Sequence, residues 1–193
     1  MINLICIVIA YLLGSVSSAI ILAKLFNKPD PRASGSGNPG ATNALRTGGK
    51  SMGIMVLVGD LVKGLLAVLI GRFFGVTGFA LGLVALFAVI GHVFPVFFKF
   101  QGGKGVATAL GAVFGLNFFV GLLTALIWIV VARLSRYASL ASIVAAASAC
   151  ILVLIIANAS YFVPLLIIAG LIIFRHQANI TRLRQGTESK IQF

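Results

Sequence analysis

The chain alternates long apolar runs with short polar segments. A helix needs about 20 apolar residues to cross a bilayer. Five runs are long enough to be spanning helices, and the last is long enough for two. That last run has a turn-like pair, Asn158 and Ser160, near its middle, so we divide it there. The pattern predicts an all-α integral membrane protein. The runs are 2–23, 53–71, 77–98, 106–132 and 137–174.

The fourth run, 106–132, has two interpretations: one long tilted helix, or a hairpin of two short helices broken near 115–117. The hairpin places thirteen of the fifteen lysines and arginines on one side, with Arg72 opposite and Lys63 inside a span. The single helix moves six of the thirteen across the membrane. Because cytoplasmic loops carry an excess of lysine and arginine, we expect seven transmembrane helices, with the N-terminus outside and the C-terminus cytoplasmic. The thirteen are Lys24, Lys28, Arg32, Arg46, Lys50, Lys99, Lys104, Arg133, Arg136, Arg175, Arg182, Arg184 and Lys190.

The composition excludes several other classes of protein. Hydrophobic residues make up 60% of the 193 positions and charged residues 9%, which favours a single transmembrane domain over 1–193. The cations are scattered between apolar runs, so no nucleic-acid partner is expected. Cys6 and Cys150 lie within apolar runs at no metal-binding spacing, and we expect no metal and no cofactor. Lys24 and Lys28 follow the first run and no cation precedes it, which favours a retained span over a cleaved signal peptide.

The segment 35–46 is unusually polar for this chain. It contains three glycines, a proline, four hydroxyl or amide side chains and Arg46. Glycines let backbone N–H groups approach a ligand, and consecutive turn N–H groups form anion sites. Taken alone, the composition is equally consistent with a connector between two helices and with a cradle for a phosphorylated ligand.

Three predicted helices, those of spans two, four and six, begin at the cytoplasmic face. A helix N-terminus has free N–H donors and a partial positive charge, which suit an anion. Span two follows 35–46, and span four follows a glycine-rich loop around Lys104. The spacing of that loop differs from a nucleotide-binding loop, so ATP is not expected. Before span six, Ser139 is the expected helix N-cap.

The C-terminal segment is expected to add a fourth wall. Arg175, Asn179 and Arg182 are spaced i, i+4 and i+7, and His176 precedes Asn179 by three. One continuous helix would therefore present all four on one stripe. The alternative is an interfacial helix end whose long side chains snorkel to water.

Three ionisable residues interrupt the apolar spans. Asp60 and Lys63 are one turn apart in span two, and they are either a structural ion pair or a functional site. His92 lies near the cytoplasmic end of span three. It is either a ligand or base, or a hydrogen-bonded structural residue.

Four motifs together resemble a known family. They are GSGNPGATNALR, GHVFPVFFKFQGGKGVAT, RYASLAS and RHQANITRLRQGTE, in this order, and they begin at Gly35, Gly91, Arg136 and Arg175. The chain is similar to the bacterial acyl-phosphate:glycerol-3-phosphate acyltransferases (PlsY). The resemblance implies a multi-pass enzyme of the bacterial inner membrane with its active site facing the cytoplasm. It further implies acyl transfer from acyl phosphate to the 1-hydroxyl of glycerol 3-phosphate, giving lysophosphatidic acid and phosphate, the first step of phospholipid synthesis. Membrane lipids and a soluble enzyme that makes acyl phosphate are implied partners.

Both of these substrates carry phosphate, so the site needs two anion sites beside an apolar slot. We see no Ser-His-Asp or Cys-His arrangement, which disfavours a covalent acyl-enzyme. His176 would either bind phosphate or act as base, although a phosphate oxygen of the donor could accept the proton instead. The expected catalytic residues are Lys104, Ser142, His176 and Asn179. The expected substrate-binding residues are Ser36, Gly37, Asn38, Thr42, Asn43, Arg46, Gly103, Gly105, Thr108, Ser139 and Arg182.

A small membrane transporter of a phosphorylated or other anionic solute is the alternative function. Its path would need polar groups at mid-depth, and only Asp60 and Lys63 are expected there. The chain also shows no internal repeat of the kind that many transporters have. An enzyme that works at one membrane face needs only one opening, which suits the polar motifs better.

Overall fold

The computed structural model describes residues 1–191, so the last two residues of the expected domain, 1–193, lie outside the described range. Regular structure in this range consists of α-helices and two 3₁₀ turns, with no strand. The helices are α1 (Ile2–Gly14), α2 (Ser18–Leu25), α3 (Ala41–Gly48), α4 (Lys50–Phe73), α5 (Gly78–Val93), α6 (Val106–Leu116), α7 (Phe118–Ser135), α8 (Ala138–Ile156), α9 (Phe162–Arg175) and α10 (Gln177–Arg184); the turns are Val96–Phe98 and Ala159–Tyr161.

Length and composition identify the helices that can cross a membrane. Among residues 1–191, four are long and apolar enough: α4, α5 with its following turn, α7 and α8. Two bent pairs also pass the test, α1 with α2 at 41° and the α9 segment with α10 at 59°, and each is either a broken span or a re-entrant loop. Helix α6 is apolar but has only 11 residues. The fold is therefore an all-helical membrane architecture with at least four spans and up to six by this criterion.

The fourth apolar run is two helices, as the hairpin interpretation predicts. Asn117 separates α6 from α7, and its side-chain oxygen accepts a hydrogen bond of 3.0 Å from the Val120 N–H at the start of α7. This amide cap satisfies a backbone donor that would otherwise be unpaired in an apolar environment. The last run is also divided, and Asn158 caps the 3₁₀ turn between α8 and α9 in the same way.

Two local predictions are wrong. The second half of the polar segment 35–46 is not a loop, because α3 begins at Ala41, directly after Gly40. No helix-breaking residue follows until the Gly48–Gly49 pair, where Gly49 adopts a φ of 87°. The expected continuous stripe from Arg175 to Arg182 is also absent. The chain bends at His176, where the apolar sequence of α9 gives way to the polar sequence of α10.

Close packing of α6 against α4 positions the glycine-rich loop that precedes α6. A Cβ added to Gly64 would overlap the backbone of Thr108, and one added to Gly111 would overlap the backbone of Leu61. Small residues let membrane helices approach to backbone contact, which is how such helices gain packing energy without a hydrophobic driving force. The start of α6 is consequently held at a fixed height along α4.

The intramembrane carboxylate and ammonium form an ion pair, which is one of the two alternatives that the sequence left open. Lys63 Nζ lies 2.8 Å from Asp60 Oδ1, and it also donates a hydrogen bond of 2.7 Å to the Val16 carbonyl oxygen. Both side chains are buried, at 8% and 3% exposure. Pairing removes the cost of two isolated charges in an apolar region, and it ties α4 to the bend between α1 and α2.

Candidate functional site

The loop before α6, residues 102–105, is held on three sides. Gly103 donates its backbone N–H to the His92 carbonyl oxygen at 3.2 Å, and an Arg175 NH2 group donates to the Gly102 carbonyl oxygen at 3.2 Å. Gly105 is the N-cap of α6 and has a φ of 86°, a left-handed conformation that favours glycine. These contacts fix the half-buried Lys104 at the mouth of the helix bundle.

Lys104 points into a polar cluster formed by α8, α10 and the C-terminal tail. Its ammonium donates to the side-chain oxygen of Asn179. The amide nitrogen of Asn179 donates to Glu188 Oε1 at 2.6 Å. Glu188 also accepts hydrogen bonds from Ser139 Oγ at 2.7 Å and from Arg182 Nε at 2.8 Å. The structure thus brings together four of the predicted site residues around one carboxylate.

The cluster carries an excess of positive charge. The pKa of Lys104 is lowered from its ordinary 10.5 to about 8, first because burial disfavours the charged form. The Glu188 carboxylate opposes this shift, and the charges of Arg182, Arg175 and Arg46 add to it. The Nε of Arg175 is buried and has no hydrogen-bond partner among the described residues. The Lys104 ammonium thus lies within the field of three other cations and one carboxylate, an arrangement that suits a bound anion.

Glu188 is the site residue that sequence reasoning missed. Burial raises the pKa of its carboxyl, but the hydrogen bonds from Asn179, Ser139 and Arg182 outweigh burial and leave the net pKa below its ordinary value. One signal could have identified it. The chain has only three acidic residues, and Glu188 is the only one in its basic C-terminal segment. A lone carboxylate in such a segment is a natural counter-ion for the site's cations.

His176 lies at the bend between α9 and α10, outside both helices, and is 3% exposed. Its Nδ1 is 2.8 Å from the Ile172 carbonyl oxygen. Because a carbonyl oxygen only accepts, Nδ1 carries the proton of this hydrogen bond and Nε2 of the neutral ring is an acceptor. Burial, and next the charge of Lys104, lower the pKa of His176 to about 4. The imidazole is therefore neutral near pH 7, with Nε2 able to accept a proton.

The first polar loop is held from within by Asn43. The Asn43 side chain accepts from the Ser36 N–H at 2.9 Å and donates to the carbonyl oxygens of Pro31 and Ser34 at 2.9 and 3.0 Å. Its amide is thus occupied by loop backbone, and Asn43 is 2% exposed. The Gly37 N–H is likewise used, since it donates to the Ser34 carbonyl oxygen at 3.1 Å.

Other predicted residues of this loop and of α3 are open to ligands. Ser36 and Thr42 are exposed and Asn38 is half-buried. Arg46 is exposed on α3, and its charge contributes to the lowered pKa of Lys104. The loop and α3 therefore flank the polar cluster, with Arg46 as their charged member.

Two predicted residues have different surroundings from those expected. The N-cap position of α8 is Tyr137, so Ser139 does not cap this helix. The Ser139 hydroxyl donates to Glu188 instead. Glu188 lies 49 residues further along the chain, so the sequence around Ser139 does not indicate this contact. Thr108 is fully buried, and its hydroxyl lies 3.1 Å from His92 Nδ1 rather than in the polar cluster.

An apolar slot opens beside the cluster. It measures about 450 Å³ including the open space at its entrance. Mostly small and aliphatic side chains of α6, α8 and α9 line it, with Thr124 and Trp128 of α7. Ser142 lies in its wall, where its hydroxyl accepts a hydrogen bond of 3.1 Å from Trp128 Nε1 and donates one of 2.7 Å to the Ala138 carbonyl oxygen. The main wall residues are Val106, Val113, Ala145, Ala149, Leu165 and Ile172.

The slot and the polar cluster share an edge, because neighbouring residues contribute to each. On α8, Ser139 of the cluster is one turn from Ser142 of the slot. Val106, in the slot wall, is two residues from Lys104. The Ile172 carbonyl that orients His176 also belongs to a slot residue. A ligand with an anionic head and an apolar chain can therefore occupy both at once.

Comparison with known proteins agrees with this geometry. A family model described as glycerol-3-phosphate acyltransferase matches residues 4–186. The glycerol-3-phosphate acyltransferase of Coxiella burnetii (strain RSA 493 / Nine Mile phase I) is 53% identical over 189 residues, which cover 98% of both chains. That of Legionella pneumophila (strain Corby) is 47% identical over 188 residues, which cover 97% of this chain and 68% of the relative.

Two solved structures are also similar over nearly the whole chain. Both are crystal structures of PlsY (YgiH), an integral membrane glycerol 3-phosphate acyltransferase. The glycerol 3-phosphate form has a TM-score of 0.93 and 42% identity, and covers 98% of this chain and 96% of that one. The lysophosphatidic acid form has a TM-score of 0.91 and 41% identity, with 98% and 95% covered. The predicted resemblance is confirmed, and the chain belongs to the glycerol-3-phosphate acyltransferase family.

Proposed function

We propose that this protein transfers a fatty acyl group from acyl phosphate to the 1-hydroxyl of glycerol 3-phosphate, giving lysophosphatidic acid and inorganic phosphate. The observation that carries the proposal is the shared edge between the cationic cluster and the apolar slot. An acyl phosphate has an anionic head and an apolar chain, so it fits across this edge. The relatives named glycerol-3-phosphate acyltransferase support the acceptor. The phosphate donor rests on the family resemblance of the four motifs.

The reaction needs alignment more than activation. The glycerol hydroxyl oxygen forms a bond to the acyl carbonyl carbon, and the bond from that carbon to the bridging phosphate oxygen breaks. The phosphate leaves with the bonding electron pair, and the hydroxyl proton passes to a nearby acceptor. Holding the hydroxyl and the carbonyl in reach lowers the barrier by several kcal/mol. No acyl group is attached to the protein in this scheme.

The cations would bind the two phosphates. Lys104 is central because Asn179 orients its ammonium and other cations surround it. Arg46 with the exposed donors of the first loop would hold one phosphate, and Lys104 with Arg182 the other. Asn179 would exchange its hydrogen bonds with Lys104 and Glu188 for bonds to the ligand oxygens. Ser142, in the slot wall, would orient the acyl carbonyl. The remaining donors would be Ser36, Asn38, Thr42 and Gly105. Gly37, Gly103 and Ser139, whose own donors are occupied, would shape the site together with Asn43 and Thr108.

His176 would accept the hydroxyl proton. Its Nε2 has an unshared electron pair because Nδ1 donates to Ile172. A neutral ring whose Nε2 accepts suits a hydroxyl better than a phosphate dianion. A pKa of about 4 makes the ring a weak base, so its role would be to orient the hydroxyl and share its proton with the departing phosphate.

The proposed topology has seven spans. Adding the short α6 to the six candidate spans gives this number, with the N-terminus outside, the C-terminus in the cytoplasm and the active site at the cytoplasmic face of the bacterial inner membrane. Cysteine labelling tests it cleanly because the native Cys6 and Cys150 are buried. In intact cells a membrane-impermeant maleimide should label Thr77→Cys and leave Ser189→Cys unlabelled. The reverse pattern would contradict the orientation.

A donor comparison tests the proposed activity. Purified protein in detergent is supplied with glycerol 3-phosphate and either palmitoyl phosphate or palmitoyl-CoA, and phosphate release and lysophosphatidic acid are measured. We expect turnover with palmitoyl phosphate only. Turnover with palmitoyl-CoA alone would reassign the donor. Failure with both donors would contradict the acyltransferase proposal and leave the anion transporter as the alternative, which uptake into liposomes would test.

A further inference from the structure

His92 lies on α5 beneath the glycine-rich loop and outside the polar cluster. It is 7% exposed, and it contacts the loop twice. Its carbonyl oxygen accepts the Gly103 N–H at 3.2 Å. Its ring nitrogen Nε2 faces the same residue so closely that a Cβ added at Gly103 would overlap it. Both the backbone and the side chain of His92 therefore determine where this loop lies.

Gly103 is also the point where the two phosphate loops meet. The position that a Cβ would take there is 3.1 Å from the Pro39 carbonyl oxygen, which belongs to the first polar loop. The His92 ring, the loop 102–105 and the loop 35–40 thus converge at one glycine. A change in the volume or placement of the ring would alter the separation of the two loops.

The other side of the His92 ring is anchored in the bundle. Nδ1 lies 3.1 Å from Thr108 Oγ1 on α6 and 3.7 Å from Asp60 Oδ1 on α4. Asp60 is in turn paired with Lys63, which donates to the Val16 carbonyl oxygen. An ionisable group at this depth is costly unless it has partners, and an apolar residue would fill the same space without that cost. The polar anchoring therefore indicates a role beyond packing.

We propose that His92 is a positioning residue that sets the spacing between the two phosphate-binding loops. The inference rests on the proposed function, in which each loop binds one phosphate. His92 does not touch the substrates; it acts through Gly103 and the first loop. If the spacing is wrong, each phosphate can still find its own loop, but the hydroxyl and the acyl carbonyl no longer align. A misplacement of about 1 Å is enough to cost about 100-fold in rate.

Three variants test the proposal by kinetics. His92→Ala removes the ring, His92→Gln keeps an amide near the position of Nε2 beside Gly103, and Val84→Ala creates a cavity elsewhere on α5, at a fully buried position. For His92→Ala we expect kcat per folded protein to fall at least about tenfold, with both KM values changing less than about threefold. His92→Gln should recover most of the lost kcat. Val84→Ala should lower the melting temperature and leave kcat unchanged.

Hydrogen exchange gives a second readout that needs no activity. Amide exchange in both 35–40 and 101–105 should accelerate in His92→Ala and stay unchanged in Val84→Ala. A wild-type kcat in folded His92→Ala, equal kinetic losses in His92→Ala and Val84→Ala, or unchanged exchange in either loop would overturn the proposal. If the unmodified protein fails to turn over palmitoyl phosphate, the proposed function fails instead, and the exchange comparison still decides the role of His92.

Discussion

The Lys104 ammonium donates a hydrogen bond to the Asn179 side-chain oxygen, joining the start of α6 to α10. Because the Asn179 amide nitrogen donates to Glu188, the asparagine separates a cation from a carboxylate. The arrangement keeps the Lys104 ammonium from pairing directly with the Glu188 carboxylate. An anion that enters can then compete for the ammonium.

Replacing Lys104 should remove a charge-assisted contact to substrate phosphate. For Lys104→Ala we expect kcat/KM to fall by about 100-fold, the size of the loss when one preorganised donor is removed from an active site. Phosphate release by purified protein measures this. Lys28→Ala, which removes an exposed lysine, is the matched control and should keep wild-type activity. Near-wild-type turnover of Lys104→Ala would contradict the phosphate-binding role.

The pH dependence should show a basic limb from the same residue. The pKa of Lys104 is lowered to about 8, so its proton is lost as the pH rises through that value. Since kcat/KM reports the free enzyme, kcat/KM for glycerol 3-phosphate should decline above about pH 8. Arginine stays charged throughout, so the residual activity of Lys104→Arg should lack this limb. A limb at the same pH in Lys104→Arg would assign it to another group.

The acidic side of the profile reports on His176. Its pKa of about 4 lies below the ordinary value, so the ring becomes charged only as the pH falls through about 4. Since kcat/KM reports the free enzyme, we expect its profile to contain no inflection near 6.5 that is present in wild type and absent from His176→Ala. His176→Ala should lower kcat more than it raises KM for glycerol 3-phosphate. An effect confined to KM would make His176 a binding residue.

Glu188 should contribute stability that depends on pH. Its folded-state pKa lies below the ordinary 4.5, so the carboxylate stabilises the fold above about pH 4.5 and this contribution is lost as the pH falls below it. Glu188→Gln should cost about 1–3 kcal/mol near neutral pH, because donors from three residues lose a charged acceptor. The difference in melting temperature between wild type and variant should shrink below about pH 4.5. A difference in melting temperature that stays constant down to pH 3 would contradict a stabilising role of the Glu188 charge.

The slot can be tested by filling its far end. Ala149 lies seven residues beyond Ser142 on α8, about 10 Å along the helix. Ala149→Phe should lower kcat/KM for palmitoyl phosphate by about tenfold or more, because the phenyl ring occupies space that the long acyl chain needs. For a short-chain acyl phosphate, kcat/KM should change little. Ile151→Phe, on the lipid-exposed side of the same helix, is the control. Equal losses with both chain lengths would place the acyl chain elsewhere.

The helix breaks and the charged loops could be predicted because their signals are local. Asn117 and Asn158 interrupt apolar runs, and a polar cap within such a run marks a helix end. Lys104 stood out because a lysine between glycines at a helix start suits an anion.

The remainder depends on contacts between distant parts of the chain. Glu188 lies in a short tail whose sequence predicts no element, and only folding brings it to Ser139. Thr108 faces His92 because α5 and α6 pack closely, a relationship that neither motif contains. The chain bends at His176, between the apolar α9 and the polar α10. Helical spacing alone does not reveal such a bend, so it predicted one continuous stripe.

The shortness of α6 has a consequence for the helices around it. Its 11 residues extend about 16 Å, roughly half of the 30 Å hydrocarbon core of a bilayer. No residue of α6 is exposed, so neighbouring helices and not acyl chains enclose it. A helix end within a membrane is tolerated only where protein surrounds its backbone groups. The enclosure of α6 is therefore the condition that allows the chain to turn at Asn117 in the interior of the bundle.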